Sequence, residues 1–173
     1  MALPETLVAE RHRDLAGRRA QAWARRGLIA LVALVPLLAL LNVFGQRPVT
    51  KTGSAPAASL ELYVPEHLRS GLIYEARFHI RARTDLKHPA LVLSPEWLEG
   101  MTVNTIEPSP SDETSEDGRL RLELGPVDGG RSALVFIQFQ VNPTNVGRRR
   151  AHVSLYDGTT RLVSLPRTID IFP

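Results

Sequence analysis

Five histidines, at positions 12, 67, 79, 88 and 152, are the residues of this 173-residue chain best suited to base or metal chemistry. No pair of them has the spacing of metal ligands on one element. His79 and His152 fall on the polar faces of alternating segments, His67 and His88 sit near prolines in turn-like stretches, and His12 lies in a separate N-terminal tail. Each therefore reads as a solvated imidazole. The acidic segment Glu107–Gly118, EPSPSDETSEDG, lacks the alternate-position acids and central glycine of a calcium loop, and reads as a solvated hairpin connection. Serines 94, 109, 111, 115, 132, 154 and 164 include none in a G-x-S-x-G elbow, and no glycine-rich phosphate loop occurs. The chain is expected not to be an enzyme and to use no metal and no cofactor.

What remains is chemistry of contact. Trp97, beside Pro95, has two readings: an indole plugging the core, which is favoured, or one stacking on a sugar or partner. Arg148 and Arg150 should point outward from the start of a strand, free to meet acids, phosphates or a partner, or simply to discourage strand pairing. Pro36 and Asn42 interrupt an apolar run. The proline frees the Val32 carbonyl and the amide offers a second hydrogen bond, both of which a neighbouring helix could use. Leu165-Pro166-Arg167-Thr168 begins like a sortase signal, but Ile169 stands where glycine is needed and no apolar tail follows.

The element that would carry Pro36 and Asn42 is Gly27–Gly45, nineteen residues without a charge. As a helix they would extend about 28 Å, close to the ~30 Å apolar core of a bilayer, and every face is apolar. A single transmembrane helix is expected over 27–45. Residues 1–26 form a basic tail, expected to be helical from about Pro4, with arginines at 11, 13, 18, 19, 25 and 26; only Arg47 and Lys51 flank the far side. The positive-inside bias then places the N-terminus in the cytoplasm and everything after the span outside the cytoplasmic membrane. A cleaved signal peptide is the competitor, and the sequence LNVFGQRP after the apolar run offers it no small-x-small site.

Location of charge also decides against nucleic acid. The net +3 arises entirely from the membrane flanks, because residues 52–173 hold thirteen basic and fifteen acidic side chains. Cysteine is absent, which removes disulfides, thiolate metal sites and lipid attachment through sulfur.

Residues 46–58, QRPVTKTGSAPAA, are small, proline-containing and aperiodic, and are expected to be a linker. From Ser59 the pattern becomes alternating. Leu72–Arg83 places Leu72, Tyr74, Ala76, Phe78, Ile80 and Ala82 on one face with Glu75, Arg77, His79 and Arg81 on the other. Similar segments are 59–64, 90–93, 101–106, 119–124, 132–141, 148–156, 159–165 and 168–172, with Asp157-Gly158 as a type I′ hairpin signal. Eight or nine short strands without a helix predict a mainly β fold, an immunoglobulin-like antiparallel β-sandwich over 59–173.

Leu91-Val92-Leu93-Ser94-Pro95-Glu96-Trp97-Leu98, then Gly118-Arg119-Leu120, Leu124-Gly125-Pro126 and Gly129-Gly130, resemble the strand-and-turn rhythm of Ig-like repeat domains in bacterial surface proteins. The layout of basic tail, one span ending in FGQR and a single β-domain is similar to that of actinobacterial single-span membrane proteins associated with YetF-like multi-span proteins. This resemblance implies an extracytoplasmic Ig-like domain and a multi-span membrane partner, and implies no activity. Two functions are expected from it and from the residues: an accessory subunit of such a partner, or a stand-alone module binding envelope carbohydrate or peptide. An aromatic, polar groove on the sandwich would favour the module.

Overall fold

The computed structural model describes residues 19–41, 43 and 46–173. They form two compact units, divided between Gly45 and Gln46. The first contains α1, Arg19–Leu40, a 22-residue helix in which Gln21–Leu40 is long and apolar enough to cross a membrane. Among the described residues the helix covers Arg19–Leu40, which includes part of the expected basic tail and most of the 27–45 run. Pro36 lies within it, and its last turn closes with Leu41 N–H to the Leu37 carbonyl and Val43 N–H to the Leu38 carbonyl, both 3.0 Å. The tail helix expected before Arg19 and the side chain of Asn42 lie outside the described residues.

The second unit is all β. Its strands are β1 (Pro48–Ser54), β2 (Ala58–Pro65), β3 (His67–Arg69), β4 (Ile73–Ala82), β5 (Pro89–Leu93), β6 (Met101–Glu107), β7 (Asp112–Glu116), β8 (Arg119–Glu123), β9 (Ser132–Val141), β10 (Gly147–Asp157) and β11 (Thr160–Phe172). One sheet has the order β1-β2-β4-β9-β6 and the other β3-β11-β10-β5-β8-β7. Every pairing is antiparallel except β3 with β11. The alternation seen in the sequence is the reason. Leu60 and Leu62 of β2, Phe78 and Ile80 of β4, and Ile137 and Phe139 of β9 share one buried cluster with Leu91, Leu122, Val153 and Ile169 of the other sheet. At ~1.5–3 kcal/mol per buried side chain, this cluster is the main force holding the sheets together.

Four segments differ from their sequence reading. Residues 46–58 are not a linker, because Pro48–Ser54 pairs with β2 along seven registered positions, Pro48↔Pro65 to Ser54↔Ser59. Its Gly53 is needed there: a Cβ at this position would stand 2.7 Å from Val163 Cγ1 and 2.8 Å from Leu165 Cδ2 of β11. The acidic segment is likewise not a loop, since Asp112–Glu116 forms the edge strand β7 with every side chain exposed. Asp117 (φ 50°) and Gly118 (φ 72°) join it to β8, the double positive φ of a type I′ turn. At Asp157-Gly158 the ladder instead pairs Asp157 with Thr160, leaving Gly158-Thr159 as the loop, with positive φ at Gly158. Finally, 159–165 and 168–172 are one strand. Pro166 sits opposite His152, whose own N–H and carbonyl both turn toward β5, so the proline nitrogen faces the free side of β11 and breaks no ladder bond.

The inclusion of β1 is testable by truncation. Residues 46–173 alone should fold as a β-rich domain. Residues 55–173 forfeit seven cross-strand pairs at ~0.2–1 kcal/mol each and should melt on the order of 10 °C lower. Equal melting temperatures by circular dichroism would show that β1 adds nothing to the domain.

Candidate functional site

Two side-chain constellations stand out, one buried and one on the surface. The buried one is centred on Arg167. Alternation along β11 turns this residue inward with Leu165 and Ile169, so a guanidinium occupies a core position. It lies 4.1 Å from the Trp97 ring centroid and 5.1 Å from that of Tyr74. Its Nη2 donates to the Pro65 carbonyl at 3.0 Å and its Nη1 to the Tyr74 hydroxyl at 3.2 Å, and that hydroxyl donates onward to Met101 Sδ at 3.1 Å. Nε has no hydrogen-bond partner. Burial depresses the Arg167 pKa, opposed by Tyr74, and burial raises that of Tyr74, opposed by Arg167. Among the described residues no carboxylate bonds to the cation, and Glu66 supports its charge only through space. Aromatic faces and a carbonyl do the work usually given to an acid.

Trp97 is therefore core, not contact surface. It follows Ser94-Pro95 in a 3₁₀ turn, is fully buried, tilts against Phe78 and Phe139, and donates from Nε1 to the His152 carbonyl at 3.0 Å. Ser94 anchors the same turn by accepting the His152 N–H at 3.0 Å and donating to Glu96, which holds the Glu96 carboxyl below its ordinary range.

The surface constellation lies on the outer face of the first sheet. Register places Thr50, Tyr63, Arg77, Phe136 and Glu107 in one row across β1, β2, β4, β9 and β6. The Arg77 guanidinium lies 5.4 Å from the Tyr63 ring centroid and 5.7 Å from that of Phe136, and its Nε donates to Glu75 at 2.6 Å. The next row brings Glu61, His79 and Leu134 together. Glu61, Tyr63, Arg77, His79 and Leu134 line a shallow hollow of about 310 Å³. Rings, a cation, a carboxylate and an imidazole thus converge on one flat, water-facing surface. Such a surface can stack on an apolar ring face while bonding to the polar groups around it. A second hollow of about 420 Å³, lined by Pro108, Leu124, Val127, Arg131 and Val135, carries no aromatic side chain.

The other sequence candidates stay apart from this face. Arg148 and Arg150 are exposed on β10 in the second sheet, opposite Asp170 and Thr168. Between them Arg149 donates to the Glu99 carbonyl at 2.7 Å and to the Asn145 side chain. Pro36 is exposed on α1. His67 stands 4.0 Å from Asp170, His88 gives its backbone N–H to Asp157 at 2.7 Å, and among the described residues only His79 joins the surface constellation; His12 lies outside the described residues. Among the described residues no group of three His, Asp or Glu could hold a metal ion. Tyr63 and Phe136 were missed in the sequence, although each is an aromatic at the outward position of an alternating strand.

No family model matches the chain, and no curated protein does. Solved structures with a similar arrangement include AvmM, described as catalysing macrocyclisation in alchivemycin A biosynthesis, at 10% identity and a TM-score of 0.40 over 75% of this chain and 92% of that one. The CARDB domain of PF1109 from Pyrococcus furiosus matches at 9% identity and 0.40 over 73% and 96%. The alkylpurine DNA glycosylase AlkC of Pseudomonas fluorescens matches at 11% identity and 0.36 over 72% of this chain and 30% of that one.

The Arg167 cluster predicts an ordering of variants. Arg167→Ala opens a cavity and strips the Pro65 carbonyl of its donor, and should lower stability by ~3–5 kcal/mol in urea unfolding. Arg167→Met refills the space without a charge to desolvate and should cost about 1–2 kcal/mol. Equal losses would mean that the cation, and not the volume, is what the core requires.

Proposed function

We propose that the protein is a single-pass protein of the cytoplasmic membrane that acts by binding, with α1 as its span, the N-terminus in the cytoplasm and an Ig-like β-domain outside. The ligand surface is the outer face of the first sheet, and the ligand class is envelope carbohydrate. The observation that carries this reading is the Tyr63–Arg77–Phe136 row, where two rings clamp a guanidinium and leave Tyr63 beside a hollow edged by Glu61 and His79. A sugar ring offers the matching chemistry, apolar C–H faces and equatorial hydroxyls. A short peptide is the related alternative.

A second reading has its own support. In α1 the exposed Pro36 cannot donate to the Val32 carbonyl, and lipid cannot satisfy that group whereas a neighbouring helix can. This favours an accessory subunit beside a multi-span membrane protein, of the YetF-like kind that the sequence layout suggests.

The carbohydrate reading predicts that Tyr63→Ala and Phe136→Ala, both on an outer face, keep the fold. Each should weaken binding to soluble cell-wall polysaccharide about two- to tenfold in calorimetry, at ~0.5–1.5 kcal/mol per aromatic contact. Unchanged affinity would leave the accessory-subunit reading in possession. Topology is checked separately, since the natural chain has no cysteine. A membrane-impermeant thiol reagent applied to intact, wall-permeable cells should label Ser111→Cys and spare Thr6→Cys, and the reverse pattern would overturn the N-in orientation.

A further inference from the structure

One end of the β-domain differs from the rest of its surface. The chain enters the domain at Pro48, and register puts Pro48 beside Pro65, so β2, β9 and β11 end here while β4 and β10 begin. The domain has six large apolar side chains that stand exposed, and two of them, Tyr63 and Leu134, belong to the sheet face already described. The other four gather at this end: Leu72 (46% exposed), Ile73 (50%), Val146 (51%) and Phe172 (48%).

Their backbone is fixed. Ser70 N–H bonds to the Phe172 carbonyl at 2.8 Å, Gly71 N–H to the Val141 carbonyl at 3.0 Å and Val141 N–H to the Leu72 carbonyl at 3.0 Å. Asn145 ties the β9–β10 turn down by donating to the Glu99 and Gly100 carbonyls at 3.2 and 2.8 Å. The apolar side chains are thus presented by a bonded framework and are not the frayed tips of loops.

Charge at this end leans positive. Glu66 is paired with Lys51 at 2.5 Å and Glu99 with Arg149 at 3.4 Å, while Asp170 stands 4.0 Å from His67 and opposite Arg148 in the ladder. Arg69 and Arg148, both exposed, have no ion pair among the described residues. Apolar side chains beside exposed arginines are the composition that settles into the headgroup layer of an anionic membrane.

We infer that this end of the domain rests on the outer surface of the lipid bilayer, with Leu72, Ile73, Val146 and Phe172 at the headgroup boundary and Arg69 and Arg148 against lipid phosphates. This rests on the reading of α1 as a membrane span. The length of chain then favours lipid as the occupant. Only residues 41–47 separate Leu40 from Pro48, a reach of at most about 29 Å when fully extended. The entry end of the domain is accordingly kept within a short distance of the membrane surface.

The test uses the full chain reconstituted into vesicles of mixed phosphatidylglycerol and phosphatidylcholine carrying nitroxide-labelled lipid. An environment-sensitive dye is attached at Ile73→Cys, at Val146→Cys, or at Ser111→Cys on the opposite end of the domain. The first two probes should emit at shorter wavelength and be quenched by the nitroxide, and the third should do neither. Arg69→Glu with Arg148→Glu in the Ile73→Cys background should reduce that quenching. A carbonate wash of the same vesicles separates the two ideas. Protein retained after the wash with unquenched Ile73 and Val146 probes would overturn lipid contact and leave the span intact, as would a blue shift without quenching, the sign of a protein partner or second copy covering the patch. Protein stripped by the wash would overturn the span and the contact together.

Discussion

A guanidinium held between two aromatic rings inside the sandwich is the constraint on which the arrangement of the β-domain turns. Arg167 arrives from β11, Tyr74 from β4, Trp97 from the turn after β5, and the Pro65 carbonyl from the end of β2, so one side chain joins both sheets and the crossover between them. Removing that charge from water is expensive, and it is tolerated because each neighbour contributes a share: two ring faces at close range, a carbonyl and a phenol oxygen. The same contacts fix the indole against Phe78 and Phe139, which in turn sets where the 3₁₀ turn leaves the core. A purely apolar plug of equal volume would fill the space without specifying which strand ends meet there.

The long alternating strands were legible because period-two burial is written directly into residues such as Tyr74, Ala76, Phe78 and Ile80. Ser132–Val141 coincides with β9, and 72–83 brackets β4 within a residue at each end. Where the sequence misled, the cause was local chemistry that imitates a loop. Lys51-Thr52-Gly53-Ser54 lacks an apolar face because β1 is an edge strand whose inward glycine must let Val163 and Leu165 approach. Asp112–Glu116 has no buried residue at all, so periodicity carries no signal there, and Asp117-Gly118, which makes the turn of the hairpin, was read as part of the loop. Pro166 and Arg167 together looked like a break between two strands. A proline on a free edge and a cation pointing inward are compatible with one continuous strand, but only the neighbours reveal that.

The candidate surface was half legible for the same reason. Outward Arg77 and His79 follow from the pattern of β4, yet their neighbours on β2 and β9 depend on register, which alternation alone does not give. Trp97, the aromatic that the sequence made prominent, is consumed by the core. Tyr63 and Phe136 occupy positions where a soluble strand would ordinarily carry a polar side chain, and the cation between them turns two scattered rings into a surface.

The pairing of β1 has a consequence for mechanical load. If, as proposed, α1 anchors the protein in a membrane and the outer face of the first sheet holds a ligand, tension would enter the domain through Pro48, the first residue of β1. The ladder between β1 and β2 runs at right angles to the strand, from Pro48↔Pro65 to Ser54↔Ser59. A pull along the axis of β1 therefore loads all of those rungs in shear, so that they must give way together, where a pull across the strand would peel them one at a time. Under that proposal the domain would meet force along β1 in its stronger direction.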